Sequence, residues 1–177
     1  MYMAEYGMTV AQTDKAGRLW TEYQLQDTTP VPFYDGIDNV LQAIQPFPHG
    51  IVSQNARSNI VNALKNQGLS DYFTCVIGFE EVDLKRQKPE PDGLLLCIKE
   101  LTQFIPGYVL YIGDHETDVK CARNANRELK KKMLDMQVIT VGVFHNADVD
   151  HSDWTFRPDY TANTLEEIIH IVERLQG

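Results

Sequence analysis

Asp114 and Asp118 stand four residues apart, directly after the apolar run Tyr108-Val109-Leu110-Tyr111-Ile112 and a glycine, Gly113. An apolar run bounded in this way reads as a buried parallel strand, and open α/β sheets bind ligands at the carboxyl ends of their strands. With Asp118 at about the first turn of the helix that follows (Val119 to Asn126), both carboxylates can converge on one hard cation such as Mg2+. An aspartate after a strand also serves as a helix cap, so the surrounding residues must decide between the two roles. Ser53 follows Ile51-Val52, and Lys88 precedes Pro89 in the segment after Cys75-Val76-Ile77. A hydroxyl, an ammonium and two carboxylates are thus expected at one sheet edge from three segments. Phosphoryl transfer uses such a set. A cation offsets the phosphate charge, a lysine stabilises the equatorial oxygens, and a small hydroxyl or backbone N–H fixes a nonbridging oxygen.

From residue 31 onward, helical and strand patterns alternate, which predicts an α/β fold: a three-layer, Rossmann-like parallel sheet with helices on both faces. Gly36 to Ile44 has apolar residues at helical spacing and is ended by Pro46 and Pro48 ahead of a short strand, Gly50-Ile51-Val52. A helix from about Ser58 to Asn66 closes on Gly68 as a left-handed cap, and Cys75-Val76-Ile77-Gly78-Phe79 is the next strand. Asp92 to Leu101 is helical, entered through Pro89 and Pro91, and Val138 to Phe144 is a strand rich in β-branched residues. The last helix runs from about Leu165 to Leu175, with Thr164 as its amino-terminal cap and Glu167 as the capping-box partner. The polar segment His145 to Asn163, with Trp154, Phe156 and Tyr160 interleaved, is expected to fold back over the core. His145 and His151 lie near Asp148, Asp150 and Asp153 there, but their spacing fits no zinc pattern and reads as a surface acidic loop.

A chain of 177 residues with 43% hydrophobic composition can bury one good core. Lys and Arg number 16 against 25 Asp and Glu, a net charge of -9, and only Lys130-Lys131-Lys132 cluster, so nucleic acid is not an expected partner. An acidic protein repels a polyanionic substrate unless a local cation holds it, which again favours a bound metal and a placed lysine. No run approaches the roughly 18 apolar residues of a membrane span, and the amino terminus lacks the blocks of a signal peptide. A cytoplasmic location without membrane association is expected. Cys75, Cys97 and Cys121, odd in number and far apart, read as reduced packing residues.

The sequence resembles the haloacid dehalogenase-like (HAD) hydrolases, and among them the phosphoglycolate phosphatase-like group. The matching residues are Ile51-Val52-Ser53-Gln54-Asn55, Lys88-Pro89-Glu90-Pro91, and Ile112-Gly113-Asp114-His115-Glu116-Thr117-Asp118 followed by Ala122 and Ala125. The resemblance covers nearly all of residues 30 to 177, including Phe33-Tyr34-Asp35-Gly36 and Pro158-Asp159-Tyr160. It implies a Mg2+-dependent phosphatase acting on a small phosphomonoester. By that analogy Ser53, Gln54 and Asn55 hold the phosphoryl group, Lys88 stabilises its charge and the nucleophile's, and Asp114 and Asp118 position Mg2+. Ser53 and Lys88 are then this chain's catalytic contributors.

The family's first motif, a buried strand leading into Asp-x-Asp-Gly-Thr, supplies the nucleophilic and acid/base aspartates and has no counterpart here. The nearest string, Asp14-Lys15-Ala16-Gly17-Arg18-Leu19, puts Ala16 at the acid/base position, after a segment too polar for a central strand. Residues 1 to 26 are instead expected to be helical, Met1 to Tyr6 ending on Gly7 and a second helix carrying Leu19, Trp20 and Tyr23 on one face. The resemblance makes residues 1–29 the remnant of a helical cap and 30–177 the core domain, with the catalytic strand upstream of residue 1. A missing central strand leaves buried backbone groups unpaired, each costing about 1 to 3 kcal/mol. The amino-terminal segment, a neighbouring copy by strand exchange, or closure of the sheet is expected to fill the gap. Without the nucleophile the chain is expected to be inactive alone. A noncatalytic relative that keeps the phosphate and metal pocket is the main alternative. A receiver-type signalling domain also uses an acidic pocket and a lysine, but gathers its acidic pair near the amino terminus.

Overall fold

Five parallel strands form two sheets, sandwiched by helices, in a computed structural model that describes residues 7–26, 33–144 and 154–176. In chain order the elements are α1 (Val10–Gln26), α2 (Ile37–Ala43), β1 (Gly50–Val52), α3 (Arg57–Asn66), β2 (Cys75–Ile77), α4 (Asp92–Thr102), β3 (Gly107–Gly113), α5 (Glu116–Lys131), β4 (Met136–Val143), β5 (Tyr160–Ala162) and α6 (Leu165–Gln176). β1 pairs with β2, Ile51 opposite Val76. β4 lies between β3 and β5, with Tyr111 opposite Thr140 and Gly142 opposite Thr161. The α/β class and the parallel pairing are those expected from the sequence.

Helices hold the two sheets together on both faces. On one face Leu94 and Ile98 of α4 and Cys121 and Ala122 of α5 pack with Val52 of β1 and with Val109 and Tyr111 of β3. On the other face α2 puts Leu41 in a cluster with Ile51 of β1, and Val40 in one with Leu110 of β3. Pleating explains the division: neighbouring residues of a strand point to opposite faces. No ladder joins β1 to β3 among the described residues, so the sheet is split where a central strand would lie.

Element boundaries depart from expectation where polar side chains decide them. β2 stops at Ile77, two residues early, because Gly78 N–H donates to the Glu81 carboxylate (2.7 Å) and Phe79 N–H to the Asn55 carbonyl (3.0 Å). α5 begins three residues before Val119 and continues five past Asn126; its buried stripe Val119, Cys121, Ala122, Ala125 and Leu129 outlasts the obvious apolar run, and Lys130 and Lys131 suit its negative end. β5 was not expected inside the polar segment after β4. The backward fold of that segment is seen in Trp154, which meets Phe144 edge-on at 5.4 Å, and in Phe156, which lies under Lys120 and Arg123. At α6 the Thr164 hydroxyl accepts Glu167 N–H at 3.4 Å, but the Glu167 carboxylate takes the N–H of Asn163 rather than that of Thr164. Gly68 closes α3 at φ 70°, as its left-handed role requires.

α1 is helical as expected, yet it buries no residue, and Trp20 and Tyr23 are exposed. Met1 to Tyr6 and the His145, His151 and aspartate cluster lie outside the described residues. Cys75, Cys97 and Cys121 are free and buried. Among the described residues no helix is long and apolar enough to cross a membrane.

Candidate functional site

Three loops meet at the carboxyl ends of the strands. Ser53, Gln54 and Asn55 leave β1, Lys88 sits between β2 and α4, and Asp114 to Asp118 link β3 to α5; together with His115 and Thr117 they line a cleft of about 260 Å³. All six residues expected at the site are therefore brought together. Asp14 is not among them: it lies on α1, paired at 2.9 Å with Arg18 four residues on.

Each position has a local cause. The Ser53 N–H donates to the Ile77 carbonyl (2.9 Å), prolonging the β1 to β2 pairing, and its Oγ accepts the N–H of Asn55 (3.1 Å). That bond folds residues 53–55 into a tight turn and leaves the Ser53 O–H available as a donor. α5 fixes the Lys88 loop: the Asn124 side-chain amide donates to the Pro89 carbonyl at 2.9 Å, and Cys121 Sγ lies 3.4 Å from that of Glu90. The Lys88–Pro89 bond is cis. Lys88 Nζ then reaches Asp118 Oδ1 at 2.7 Å and lies 5.5 Å from the centre of the Tyr111 ring. The ion pair is mostly shielded, with side-chain exposures of 14% and 13%.

Tyr111 donates its hydroxyl to the same Asp118 oxygen at 3.2 Å. Burial, and then the Asp118 carboxylate, push the Tyr111 hydroxyl well above the usual tyrosine range, so it remains a protonated donor. A Cβ on Gly113 would stand 2.5 Å from Asp118 Oδ2, so only glycine lets α5 bring this carboxylate against the end of β3. Asp114 is exposed in the cleft and makes no hydrogen bond or ion pair among the described residues. Among the described residues no group of three His, Cys, Asp or Glu side chains is placed to hold a metal ion by itself. Two carboxylates in a polar cleft nevertheless suit Mg2+, which keeps several waters and takes one or two carboxylates beside phosphate oxygens.

Sequence reasoning missed Tyr111, Asn124 and His115. Tyr111 had a signal: it is two residues from Gly113, on the face over which α5 returns. His115 caps α5, its Nδ1 accepting Thr117 N–H at 3.1 Å. The capping role first considered for Asp114 is thus filled by its neighbour.

A family profile described as haloacid dehalogenase-like hydrolase matches residues 1–132. Pyrophosphatase PpaX of Listeria monocytogenes serotype 4a is 26% identical over 165 residues, covering 92% of this chain and 70% of that protein. A crystal structure described as a haloacid dehalogenase-like hydrolase from Bacteroides fragilis is 27% identical with a TM-score of 0.69, covering 92% of this chain and 72% of that one. A predicted phosphoglycolate phosphatase from Haemophilus somnus shares the fold at 17% identity and a TM-score of 0.67, covering 93% and 68%.

Proposed function

The chain belongs to the haloacid dehalogenase-like hydrolase family, and from that membership we propose that it carries the metal- and phosphate-binding half of a Mg2+-dependent phosphatase of the phosphoglycolate phosphatase-like group. The observation that carries this is the convergence of Ser53, Lys88, Asp114 and Asp118 from three strand ends on one cleft. The substrate class is a small phosphomonoester; relatives named pyrophosphatase support a site that recognises phosphate. Residues 1–29 are proposed as a cap remnant on the 30–177 core, a division supported by the lack of buried residues on α1. A cytoplasmic setting is supported by the three free cysteines.

In this site the Ser53 hydroxyl, with Gln54 and Asn55, holds nonbridging phosphate oxygens. Lys88, already poised by Asp118, offsets phosphate charge that the net charge of -9 would otherwise repel. Asp114 and Asp118 hold Mg2+, which supplies further charge neutralisation at the phosphoryl group. Asp118 is held by Lys88 and Tyr111 on one oxygen, no strand ending in Asp-x-Asp enters the cleft among the described residues, and Asp14 lies on a helix outside it. The 177 residues therefore bind phosphate without turning it over, and the nucleophile comes from elsewhere. With Mg2+ and p-nitrophenyl phosphate the purified chain should show negligible hydrolysis, and activity should appear when a strand ending in Asp-x-Asp-Gly-Thr is added to it. Robust turnover by the unextended chain that survives Asp14→Asn would contradict this proposal. Tight phosphate binding with no turnover in any extended form would favour a noncatalytic relative.

A further inference from the structure

Helices α3 and α5 close in the same way on different residues. At the end of α3 the N–H of Gly68 donates to the Lys65 carbonyl (3.2 Å) and that of Leu69 to the Leu64 carbonyl (2.9 Å). At the end of α5 the N–H of Met133 donates to the Lys130 carbonyl (3.0 Å) and that of Leu134 to the Leu129 carbonyl (3.0 Å). The left-handed residue is Gly68 in the first, at φ 70°, and Met133 in the second, at φ 54°, where a Cβ is strained and glycine is not. The fold gains no packing from that methionine, which is 92% exposed. The end of α4 repeats the pattern: Gln103 and Phe104, at φ 51° and 58°, carry the chain to Ile105, which is 68% exposed. Gln103, Phe104 and Met133 are the non-glycine residues with positive φ among the described residues, and they share one end of the molecule. Phe104 and Leu134 pack in one cluster there, and the Gly107 N–H donates to the Asp135 carbonyl at 3.1 Å. The same end carries Lys130-Lys131-Lys132, all exposed. Glu128 is taken by Lys131 at 2.6 Å, whereas Arg127, Lys130 and Lys132 make no ion pair among the described residues. With Asp135 as the one acid of the turn 132–135, this end is basic on a chain whose net charge is -9.

We propose that this end of the molecule is a peripheral contact surface for an anionic lipid bilayer, with Met133 and Ile105 entering the headgroup layer and Arg127, Lys130 and Lys132 meeting lipid phosphates and carboxylates. Strained, exposed apolar residues at two helix ends contribute nothing to the fold, so a partner accounts for them better than packing does. The shape selects the partner. A protein interface needs a contiguous apolar core, which two separate turn tips ringed by cations do not offer. A bilayer surface takes single apolar side chains just below its headgroups, while lysine stems lie along the interface and keep their ammonium groups among the anions. Basic charge and apolar insertion are also the two signals that stable peripheral attachment combines. Such contact needs no spanning helix. The surface lies at the amino-terminal ends of β3 and β4, and seven residues of β3 separate it from the cleft, roughly 20 Å, so an attached chain keeps the cleft open to solution. This rests on the fold and its surface, independently of whether the cleft serves a phosphatase.

The test is flotation of the 177-residue chain with vesicles of phosphatidylcholine alone or with about one-third phosphatidylserine, at about 0.05 M and 0.5 M salt. Binding to the anionic vesicles at the lower salt is expected, with release at the higher salt and none to the neutral vesicles. Lys130→Gln and Lys132→Gln should each weaken it about fivefold, the worth of one lysine near such a surface. Met133→Gly should weaken it about threefold or more by removing the inserted side chain, while Tm stays level or rises because glycine suits the left-handed position. No flotation with anionic vesicles at the lower salt, or equal flotation with neutral ones, would overturn the proposal. So would lysine and Met133→Gly variants that float like the parent, a marked fall of Tm in Met133→Gly, or binding of a soluble acidic peptide through the same lysines in place of the vesicles.

Discussion

Asp118 is the hinge of the cleft, because one carboxylate answers to Lys88, Tyr111 and Gly113 at once. Lys88→Gln removes the charge partner of a largely shielded carboxylate, and urea unfolding should show a loss of about 1 to 3 kcal/mol. The same change should weaken phosphate binding at least about tenfold, the worth of a charge-assisted hydrogen bond. Gly113→Ala should cost about 1 to 3 kcal/mol by overpacking, and it should lower Mg2+ affinity because the Asp118 carboxylate must move away from the strand end. Tyr111→Phe separates positioning from binding: it removes one donor to Asp118 while leaving Lys88 in place, so a smaller loss than that of Lys88→Gln is expected in both measurements.

α5 organises more of the site than any strand does. One helical face carries Asp118 and Cys121, while Asn124 and Asn126 tie down the Lys88 loop and the edge of β4. Asn126→Ala leaves the buried N–H and C=O of Val138 without their partner, and a drop of about 2 to 4 kcal/mol is expected from denaturant midpoints at unchanged slope. These contacts mark the limit of what the sequence discloses. The strands were legible because apolar runs bounded by glycine and proline have few other uses; Ser53, Asp114 and Asp118 were legible because they come after such runs, and Lys88 because it precedes Pro89 in a segment that carries the family resemblance. The reach of α5 was not, since its first turn is set by the His115 cap and its last buried contact, Leu129, stands among charged residues that mask the stripe in sequence. β5 was hidden because three residues carry too little periodicity, and its place depends on Asp159 gripping Thr140.

The whole molecule keeps three buried thiols and a buried phenol neutral. Burial pushes Cys121 up to about 12 from 9.0, with Lys88 partly opposing, and raises Cys75 and Cys97 as well. Their folded values lie above their unfolded ones, so the unfolded state loses protons first as pH rises past 9.0, and folding stability is full below that pH and falls above it. A thiol ionised in the unfolded state and neutral in the folded one contributes a slope of up to about 1.4 kcal/mol per pH unit. Thermal unfolding should show Tm falling from pH 8.5 to 10.5, and Cys121→Ala should flatten the decline. Among the described residues no ladder joins β1 to β3, and a backbone group shielded from water without a partner costs about 1 to 3 kcal/mol. The central claim is that the cleft is a metal and phosphate cradle, and calorimetric titration of the chain with inorganic phosphate, with and without Mg2+, tests it most directly. One saturable site is predicted, strengthened by Mg2+ and weakened at least about tenfold by Lys88→Gln. Phosphate binding that is absent, or that persists unchanged in both Lys88→Gln and Asp118→Asn, would contradict it.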